Sequence, residues 1–237
     1  MRKLSIFIFV ALLTVTSSTL FMATSVMAQE PYTEAHVLVD NSLGTLKQFI
    51  ADPNMQAFRD LARTAQGILI VPQLLRGGLV VGGTGGSGVL YARDIEAGTW
   101  RGPAFYSIGS VTFGLQVGAE ASQVVMMIMT EKGLNSLLSS SFKLGADVTL
   151  AAGPIGGGTK AATADILAYA RSKGAFGGFT VEGAVIGTKD GWNDSYYGGP
   201  APPSDILISG AVTNSHGDEL RKLITEIAAP TTQKVNY

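Results

Sequence analysis

The feature that most limits the fold is a long, glycine-rich stretch in which strand-like segments follow one another closely. The chain has 30 glycines among 237 residues, and from residue 67 onward helical spacing gives way to short apolar or alternating runs. Residues 105–119 alternate apolar and polar side chains, and the run VVMMIM at 124–129 has no polar side. Closely spaced strands leave no room for helical crossovers, so neighbours should be antiparallel. Because glycines on strands permit bending, we expect a mainly antiparallel sheet that is strongly curved or partly closed.

Helical patterns occur before, within and after this stretch. Residues 32–51 predict a first helix, which Gly44 weakens. Asp52 and Pro53 suit the N-cap and first position of a second helix, and Thr130 suits the N-cap of a short inserted one. An amphipathic pattern predicts a closing helix around 220–227. The fold class is therefore α+β, with the sheet flanked by N-terminal, inserted and C-terminal helices. The apolar stripe of the first helix is predicted at Val39, Leu43, Leu46 and Ile50.

The predicted organisation is a leader followed by one domain. Residues 1–28 have a basic start, a mostly apolar run and a final Ala28, which is typical of a secretory signal peptide. An uncleaved transmembrane anchor is the alternative, because the apolar run is long. We assign 29–65 to N-terminal helices packed on the domain, 66–229 to the domain with its C-terminal helix, and 230–237 to a tail. We expect an exported protein that is periplasmic, envelope-associated or secreted.

Charge and cysteine content exclude several classes of function. The formal net charge is −1 and becomes more negative if Arg2 and Lys3 leave with the leader, so nucleic acid is not an expected partner. The chain has no cysteine, which excludes disulfides, thiolate nucleophiles and cysteine-based metal sites. His36 and His216 are predicted on separate helices, without a second ligand at metal-binding spacing, and a surface or helix-end role is expected for both. We predict no metal site and no cofactor.

Two short motifs resemble catalytic signatures but are in the wrong context. Residues 83–88 read G-T-G-G-S-G, yet a strand pattern follows them where a dinucleotide site needs a helix. Residues 140–143 fit S-x-x-K, but Lys143 falls on a predicted strand and the companion motifs of penicillin-recognising enzymes are missing. We interpret both motifs as structural, and the protein is not expected to be an enzyme.

Three carboxylates form an alternative, acidic candidate site. Glu120, Asp147 and Glu182 each lie beside glycines on the less apolar side of a predicted strand. If those faces converge inside a curved sheet, crowding would raise the pKa of the carboxyls and permit acid–base or cation-binding work. The competing interpretation is three solvated positions, and the spacing does not decide the distances between them.

The later segments complete the predicted sheet. Residues 142–152 alternate as a single strand, and 164–171 and 179–186 are two more. Residues 189–199, KDGWNDSYYGG, predict a polar, aromatic loop. Aromatic residues in or beside loops suit a membrane–water boundary and equally suit ordinary packing. Both interpretations stay open for Trp100, Trp192, Tyr196 and Tyr197.

Several segments together resemble the SYLF family. The matching stretches are AQGILIVPQLLRGGLVVGG at 65–83, WRGPAFYSIGSVTFGLQVGAE at 100–120, MTEKGLNSLLSSSFKLGADVTLAAGP at 129–154, ILAYARSKGAFGGFTVEGAVI at 166–186 and YYG at 196–198. The resemblance implies an α+β domain that binds membrane lipids, phosphoinositides in eukaryotic adaptors, with actin bundling in some members. The first predicted helix departs from the basic character of eukaryotic members, since it carries only Lys47.

We therefore predict an exported lipid-binding module that contacts anionic phospholipid at a membrane surface. Actin, known as a partner of eukaryotic relatives, is not expected here, because an exported protein would not meet it. The alternatives are a structural envelope protein, including a small outer-membrane barrel, and a carboxylate-based hydrolase. The candidate lipid-binding cations are Arg59, Arg63, Arg76, Arg171 and Lys173.

Overall fold

The computed structural model describes residues 32–78, 81–113, 118–154, 163–172, 175–176 and 183–229. These residues form helices packed on a curved sheet, which confirms the predicted α+β class. The predicted leader and tail, and the residues Lys173 and Glu182, lie outside the described ranges. Within those ranges no helix is both long enough and apolar enough to span a membrane.

Helices occur at the predicted places along the chain. The Asp52 carboxylate accepts a hydrogen bond from Asn54 N, and the Thr130 hydroxyl accepts one from Gly133 N, so both predicted caps are confirmed. The described helices are α1 (Glu34–Ala51), α2 (Gln56–Ala62), α3 (Glu131–Leu138), α4 (Asp190–Tyr197) and α5 (Asp218–Ala228), with 3₁₀ turns at Pro53–Met55 and Ser215–Gly217 and a π turn at Asp205–Ser209. The buried face of α1 is offset from the predicted stripe. Leu43 and Ile50 are half-buried at its edges, whereas its centre holds Ala35, Val39, Leu46 and Phe49.

The described strands form a single curved sheet. They are β1 (Gly67–Gly78), β2 (Val81–Asp94), β3 (Thr99–Phe113), β4 (Gly118–Ile128), β5 (Ser141–Lys143), β6 (Leu150–Ala152), β7 (Ile166–Ser172), β8 (Ala175–Phe176) and β9 (Val185–Thr188). The strand order is β5-β9-β3-β2-β1-β4-β7-β6, and β8 pairs with β7. All described pairings are antiparallel except that of β6 with β7, so the sheet is mainly antiparallel, as predicted.

Pro72 bends β1 without ending it. The pairing of β1 with β2 shifts between Ile70 and Gln73, and its pairing with β4 shifts between Val71 and Leu74. Proline lacks the N–H that a regular ladder requires, and a bulge accommodates this loss. Beyond the bulge β1 continues to Gly78 between β2 and β4, which creates the glycine-rich end of the sheet where the candidate site lies.

The single strand predicted over residues 142–152 is wrong. The chain forms β5, turns at 145–147, where Gly145 has a φ of +83°, and then forms β6. These two short strands lie at opposite ends of the strand order. A flat sheet of that order would be about 34 Å wide, whereas the chain from Lys143 to Leu150 spans at most about 24 Å. The sheet must therefore curl strongly, which confirms the predicted curvature.

Both faces of the sheet are covered along the second half of β4. Along β4, Val124 and Met126 enter one apolar cluster, while Val125 and Met127 enter the other. The first cluster includes residues of α3 and the π turn, and the second includes residues of α1, α2 and α5. All four β4 side chains are buried. The run without a polar side is therefore a central strand, as predicted.

The loop predicted at residues 189–199 is also wrong, because most of it is the helix α4. The ring of Tyr196 is buried and meets Phe105 edge-on, with ring centroids 5.0 Å apart. Asn193, buried beside it, accepts a hydrogen bond from Phe105 N at 2.8 Å. Trp100 is buried within β3. For Trp100 and Tyr196 the packing interpretation is therefore correct and the interfacial one is wrong.

Candidate functional site

Arg59 completes the C-terminal end of α1. Its Nη1 donates to Ile50 O and to Asp52 O, both at 3.0 Å. The last carbonyls of a helix lack intrahelical donors, and a cation near them also interacts favourably with the helix dipole. Arg59 therefore holds the junction between α1 and α2, whatever it adds to a surface charge.

We expect Arg59→Met to lower the free energy of unfolding by about 1.5 kcal/mol, because two helix-end carbonyls lose a charged donor. Urea denaturation at pH 7 measures the change. Lys222→Met removes the same charge from an exposed position of α5 and serves as the matched control. An equal, small effect of the two substitutions would contradict the capping role.

Arg63 and Arg76 lie on separate surfaces. Arg63 Nη1 is 3.2 Å from Asp60 Oδ1, and both side chains are more than a third exposed, at 37% and 39%. Arg76 lies on β1, directly across from Glu120 on β4. Successive side chains of a strand alternate between its faces, so Arg76 projects away from the face that carries Leu75.

Arg171 lies between the sheet and α1. It occupies β7 opposite Gln123 of β4, and its Nη1 donates to Gln48 Oε1 of α1 at 2.5 Å. The strand register puts Arg171 on the face of Leu75, so the sheet separates it from Arg76. The predicted cations that are described thus do not share one surface, and the role of each in lipid binding stays a prediction, as does that of Lys173.

Of the predicted acidic residues, Glu120 lies on β4, Asp147 lies outside the strands, and Glu182 is outside the described residues. Glu120 accepts hydrogen bonds from the hydroxyls of Ser172 and Ser122. Asp147 lies in the exposed turn after β5, not on a strand as predicted, and accepts a hydrogen bond from Lys143 N at 2.6 Å. Among the described residues, no group of three or more His, Asp or Glu side chains has the arrangement of a metal site.

A groove lies between α1 and the end of the sheet beyond the Pro72 bulge; we call it the α1 groove. Its volume is about 870 Å³. The helix contributes Asn41, Thr45 and Gln48, and the strands contribute Gln73, Leu75, Gly85, Ser87, Gln123 and Arg171. The cross-strand pairs Leu75–Gly85 and Gln73–Ser87 place these side chains on one face. The lining is therefore mostly uncharged, with amide and hydroxyl groups able to donate and accept hydrogen bonds.

Two glycines keep the α1 groove open. At Gly44 on α1 and at Gly85 on β2, an added Cβ would have no neighbouring heavy atom within 4 Å. Glycine inside a helix costs about 1 kcal/mol relative to alanine. No neighbouring group approaches Gly44 so closely that a side chain would clash. The absence of a side chain at Gly44 therefore leaves open space beside the helix.

Charged groups border the α1 groove. Asp40 lines it, and its Oδ1 is 3.3 Å from His216 Nε2. Lys189 Nζ donates to Ser87 Oγ at 3.1 Å and lies 3.2 Å from the centroid of the Trp192 ring. Partial burial lowers the pKa of Lys189 below its ordinary value. A carboxylate and an ammonium thus lie beside the lining, in addition to the Arg171 guanidinium.

The two histidines meet in the folded chain, although they are 180 positions apart in sequence. The ring centroids of His36 and His216 are 4.7 Å apart, and the buried Tyr196 packs 4.9 Å from His36. His36 Nδ1 also accepts from Thr33 N at 3.2 Å, which confirms a helix-end role for this residue. The aromatic contacts join the start of α1 to the turn before α5.

The carboxylate of Asp165 is extensively hydrogen-bonded and lies next to the inserted helix α3. It accepts hydrogen bonds from Thr149 N, Thr149 Oγ1 and Thr130 Oγ1, at 2.8, 2.8 and 2.7 Å. The Thr149 amide, followed by the Thr130 hydroxyl, lowers the pKa of Asp165 to about 2. Since Thr130 also caps α3, these bonds tie the helix to strands β6 and β7.

Comparison with known sequences decides the family. The sequence model of one family, described as "Ysc84: Las17-binding protein actin regulator", matches residues 109–229, just over half of the chain. The chain belongs to the Ysc84 (SYLF) family. The resemblance inferred from the sequence is thereby confirmed.

Relatives of this Ysc84 domain are longer proteins. LAS seventeen-binding protein 3 of Saccharomyces cerevisiae is 31% identical over 161 residues, which cover 65% of this chain and 34% of the relative. Protein YSC84 of the same yeast is 32% identical over 158 residues, 63% of this chain and 33% of the relative. The human SH3 domain-containing YSC84-like protein 1 is 25% identical over 166 residues, 68% of this chain and 48% of the relative. The chain spans about a third to a half of the length of these relatives.

The Ysc84 match covers one part of the α1 groove. Gln123 and Arg171 lie inside the matched range, whereas α1 and the groove residues of β1 and β2 precede it. Sequence reasoning identified Arg171 but missed the groove. The available signal was Gly44, a glycine in the middle of an otherwise regular helical pattern.

Proposed function

We propose that this Ysc84-family protein is an exported, non-catalytic module that binds anionic phospholipid in the cell envelope. Family membership supports a binding role, and the leader-like pattern of residues 1–28 supports export. The proposal does not include Las17 or actin, for which the family is described, because an exported protein would not encounter a cytoskeletal partner.

The observation that carries the proposal is an exposed apolar strip beside a cation on one face of the sheet. Leu75 is 52% exposed and Val111 is 69% exposed. The pairs Leu75–Gly85 and Gly83–Val111 place both side chains on the face that also holds Arg171. Apolar side chains gain free energy on leaving water, and a cation near an anionic leaflet adds about 1 kcal/mol. This combination suits attachment to a phospholipid surface.

Vesicle flotation tests the proposal. We expect the protein without residues 1–28 to float with vesicles of equal parts phosphatidylcholine and phosphatidylglycerol at low salt, and to float less at high salt, because salt screens charge attraction. Phosphatidylcholine vesicles should recover much less protein. Equal recovery with both vesicle types at both salt concentrations would overturn the proposal.

A charge-matched pair of variants locates the attachment. Arg171→Gln is expected to lower the partition coefficient for the mixed vesicles about fivefold, the equivalent of about 1 kcal/mol. Arg221→Gln removes the same charge from α5, where Arg221 pairs with Asp218, and should bind like the wild type. Equal losses for both variants would indicate a bulk charge effect and not the proposed strip.

A further inference from the structure

We propose that the α1 groove is a binding site for a phosphoglycerol group, with the hydroxyls held by the carboxamides and the phosphate by Arg171. This inference rests on the proposed function and names the part of the lipid that enters the protein. The same chemistry occurs in the phosphatidylglycerol head group and in a soluble glycerophosphodiester, and the experiment below separates these sources.

The chemistry of the lining selects the ligand class. The groove is lined by Asn41, Thr45 and Gln48 on α1 and by Gln73, Ser87 and Gln123 on the strands, and Gln123 Nε2 donates to Thr45 Oγ1 at 3.5 Å. Each carboxamide offers both donors and acceptors, which is what a hydroxyl-rich ligand needs, since every hydroxyl also donates and accepts. Such a lining suits a polyol better than a hydrocarbon chain, which would remove polar groups such as the Asn41 and Gln73 carboxamides from solvent without offering them a hydrogen bond.

The charges at the groove favour a ligand with a single negative charge. Among the described lining residues, Arg171 carries a positive charge and Asp40 a negative one, and the Lys189 ammonium lies at the border on Ser87. A guanidinium matches the geometry of phosphate oxygens, and its bond to Gln48 Oε1 orients it towards α1. Asp40 would repel a second phosphate, so a phosphodiester fits better than a polyphosphorylated ring.

The position of the groove fits a head group that is still attached to its lipid. Leu75 lines the groove and is half exposed on the same face as Val111. A phosphoglycerol group in the groove would leave its acyl chains directed over this apolar strip. Leu75 belongs to both the groove and this exposed face, so one lipid could contact both.

Filling the groove tests the site. Gly85→Leu adds a side chain where no protein atom lies within 4 Å of the Cβ position, so it should leave folding intact while occupying the groove. We expect it to weaken binding of sn-glycero-3-phosphoglycerol, measured by calorimetry, by about tenfold or more, and to reduce flotation with phosphatidylglycerol vesicles similarly. Gly191→Leu, at an equally open glycine on α4, is the matched control and should behave like the wild type.

A second variant approaches the groove from the helix. Gly44→Leu also enters open space, and the better helix propensity of leucine should raise Tm by about 3 °C while binding falls. A gain in Tm together with a loss of affinity cannot come from partial unfolding. Unchanged affinity in both filled variants would overturn the groove site.

The arms distinguish failure of this inference from failure of the proposed function. If the filled variants still float with phosphatidylglycerol vesicles like the wild type, lipid binding stands and the groove inference is overturned. If the wild type binds the soluble glycerophosphodiester but no vesicles, the groove site stands with a soluble ligand and the proposed function fails. If inorganic phosphate binds as tightly as the glycerophosphodiester, recognition of the polyol is overturned.

Discussion

Phe58→Ala is expected to lower the free energy of unfolding by about 4 kcal/mol. Phe58 has no exposed surface, and it is the largest of the three buried side chains of the short helix α2. Its ring meets Tyr169 of β7 edge-on at 5.1 Å and lies 5.8 Å from Phe49 of α1. Truncation removes the buried ring and leaves a cavity that the surrounding strands cannot fill, so both the transfer and cavity costs apply.

Chemical denaturation with unchanged m value measures the effect of Phe58→Ala. The control is Ile95→Ala, which truncates an aliphatic side chain that is 68% exposed in the β2–β3 turn. Its expected change is within about 0.5 kcal/mol. A loss below about 1 kcal/mol for Phe58→Ala would mean that α2 does not contribute to the cooperative core.

Asp165→Ala is expected to cost about 3 kcal/mol at pH 7, because Thr149 N, Thr149 Oγ1 and Thr130 Oγ1 lose a charged acceptor. The substitution should also weaken the attachment of α3 to the β6–β7 edge, since Thr130, which caps this helix, loses its bond to Asp165. Denaturation curves at pH 7 measure it. Asp60→Ala, which removes a carboxylate on α2 that is 39% exposed, is the control and should change stability by about 0.5 kcal/mol or less.

The stability lost in Asp165→Ala should depend on pH. The pKa of Asp165 is lowered from its ordinary 3.8 to about 2 in the folded protein. A group with a depressed folded pKa contributes stability that is fully present above the unfolded pKa and is lost as pH falls through the folded one. The stability difference between wild type and Asp165→Ala should therefore be constant above about pH 5 and shrink between about pH 4 and pH 2. A difference that stays constant down to pH 2 would contradict the role of the charged carboxylate.

The local elements were largely predictable because their signals are short-range. The Asp52 and Thr130 caps and the fully buried strand from Val124 are each encoded by a few neighbouring residues. Alternation over 142–152 misled the prediction, because a turn at Gly145 keeps the apolar period while breaking the strand. Residues 189–199 were wrongly predicted as a loop, since the polar residues and glycines of the short helix α4 are also typical of loops.

The candidate site was predictable only in fragments. Arg171 was identified, but the same reasoning grouped it with Arg76, which lies on the other face of the sheet, and with Arg59, which caps α1. The sequence around a basic residue does not show whether it lies on the same face of the sheet as a basic residue far away in the chain. Their grouping depends on strand register, and register is a property of the folded sheet.

The sequence by itself determined the α+β class, the antiparallel character and the family, because hydrophobic period, close strand spacing and ordered motifs are properties of the chain. Only the tertiary structure decided how far the sheet curls, which places β5 and β6 at opposite ends of its strand order. It also decided that α1 lies across the sheet to form the groove, and that His36 meets His216. The physical reason is that distances between residues remote in sequence are set by the packing of two apolar clusters on a twisted sheet, and local patterns do not encode them.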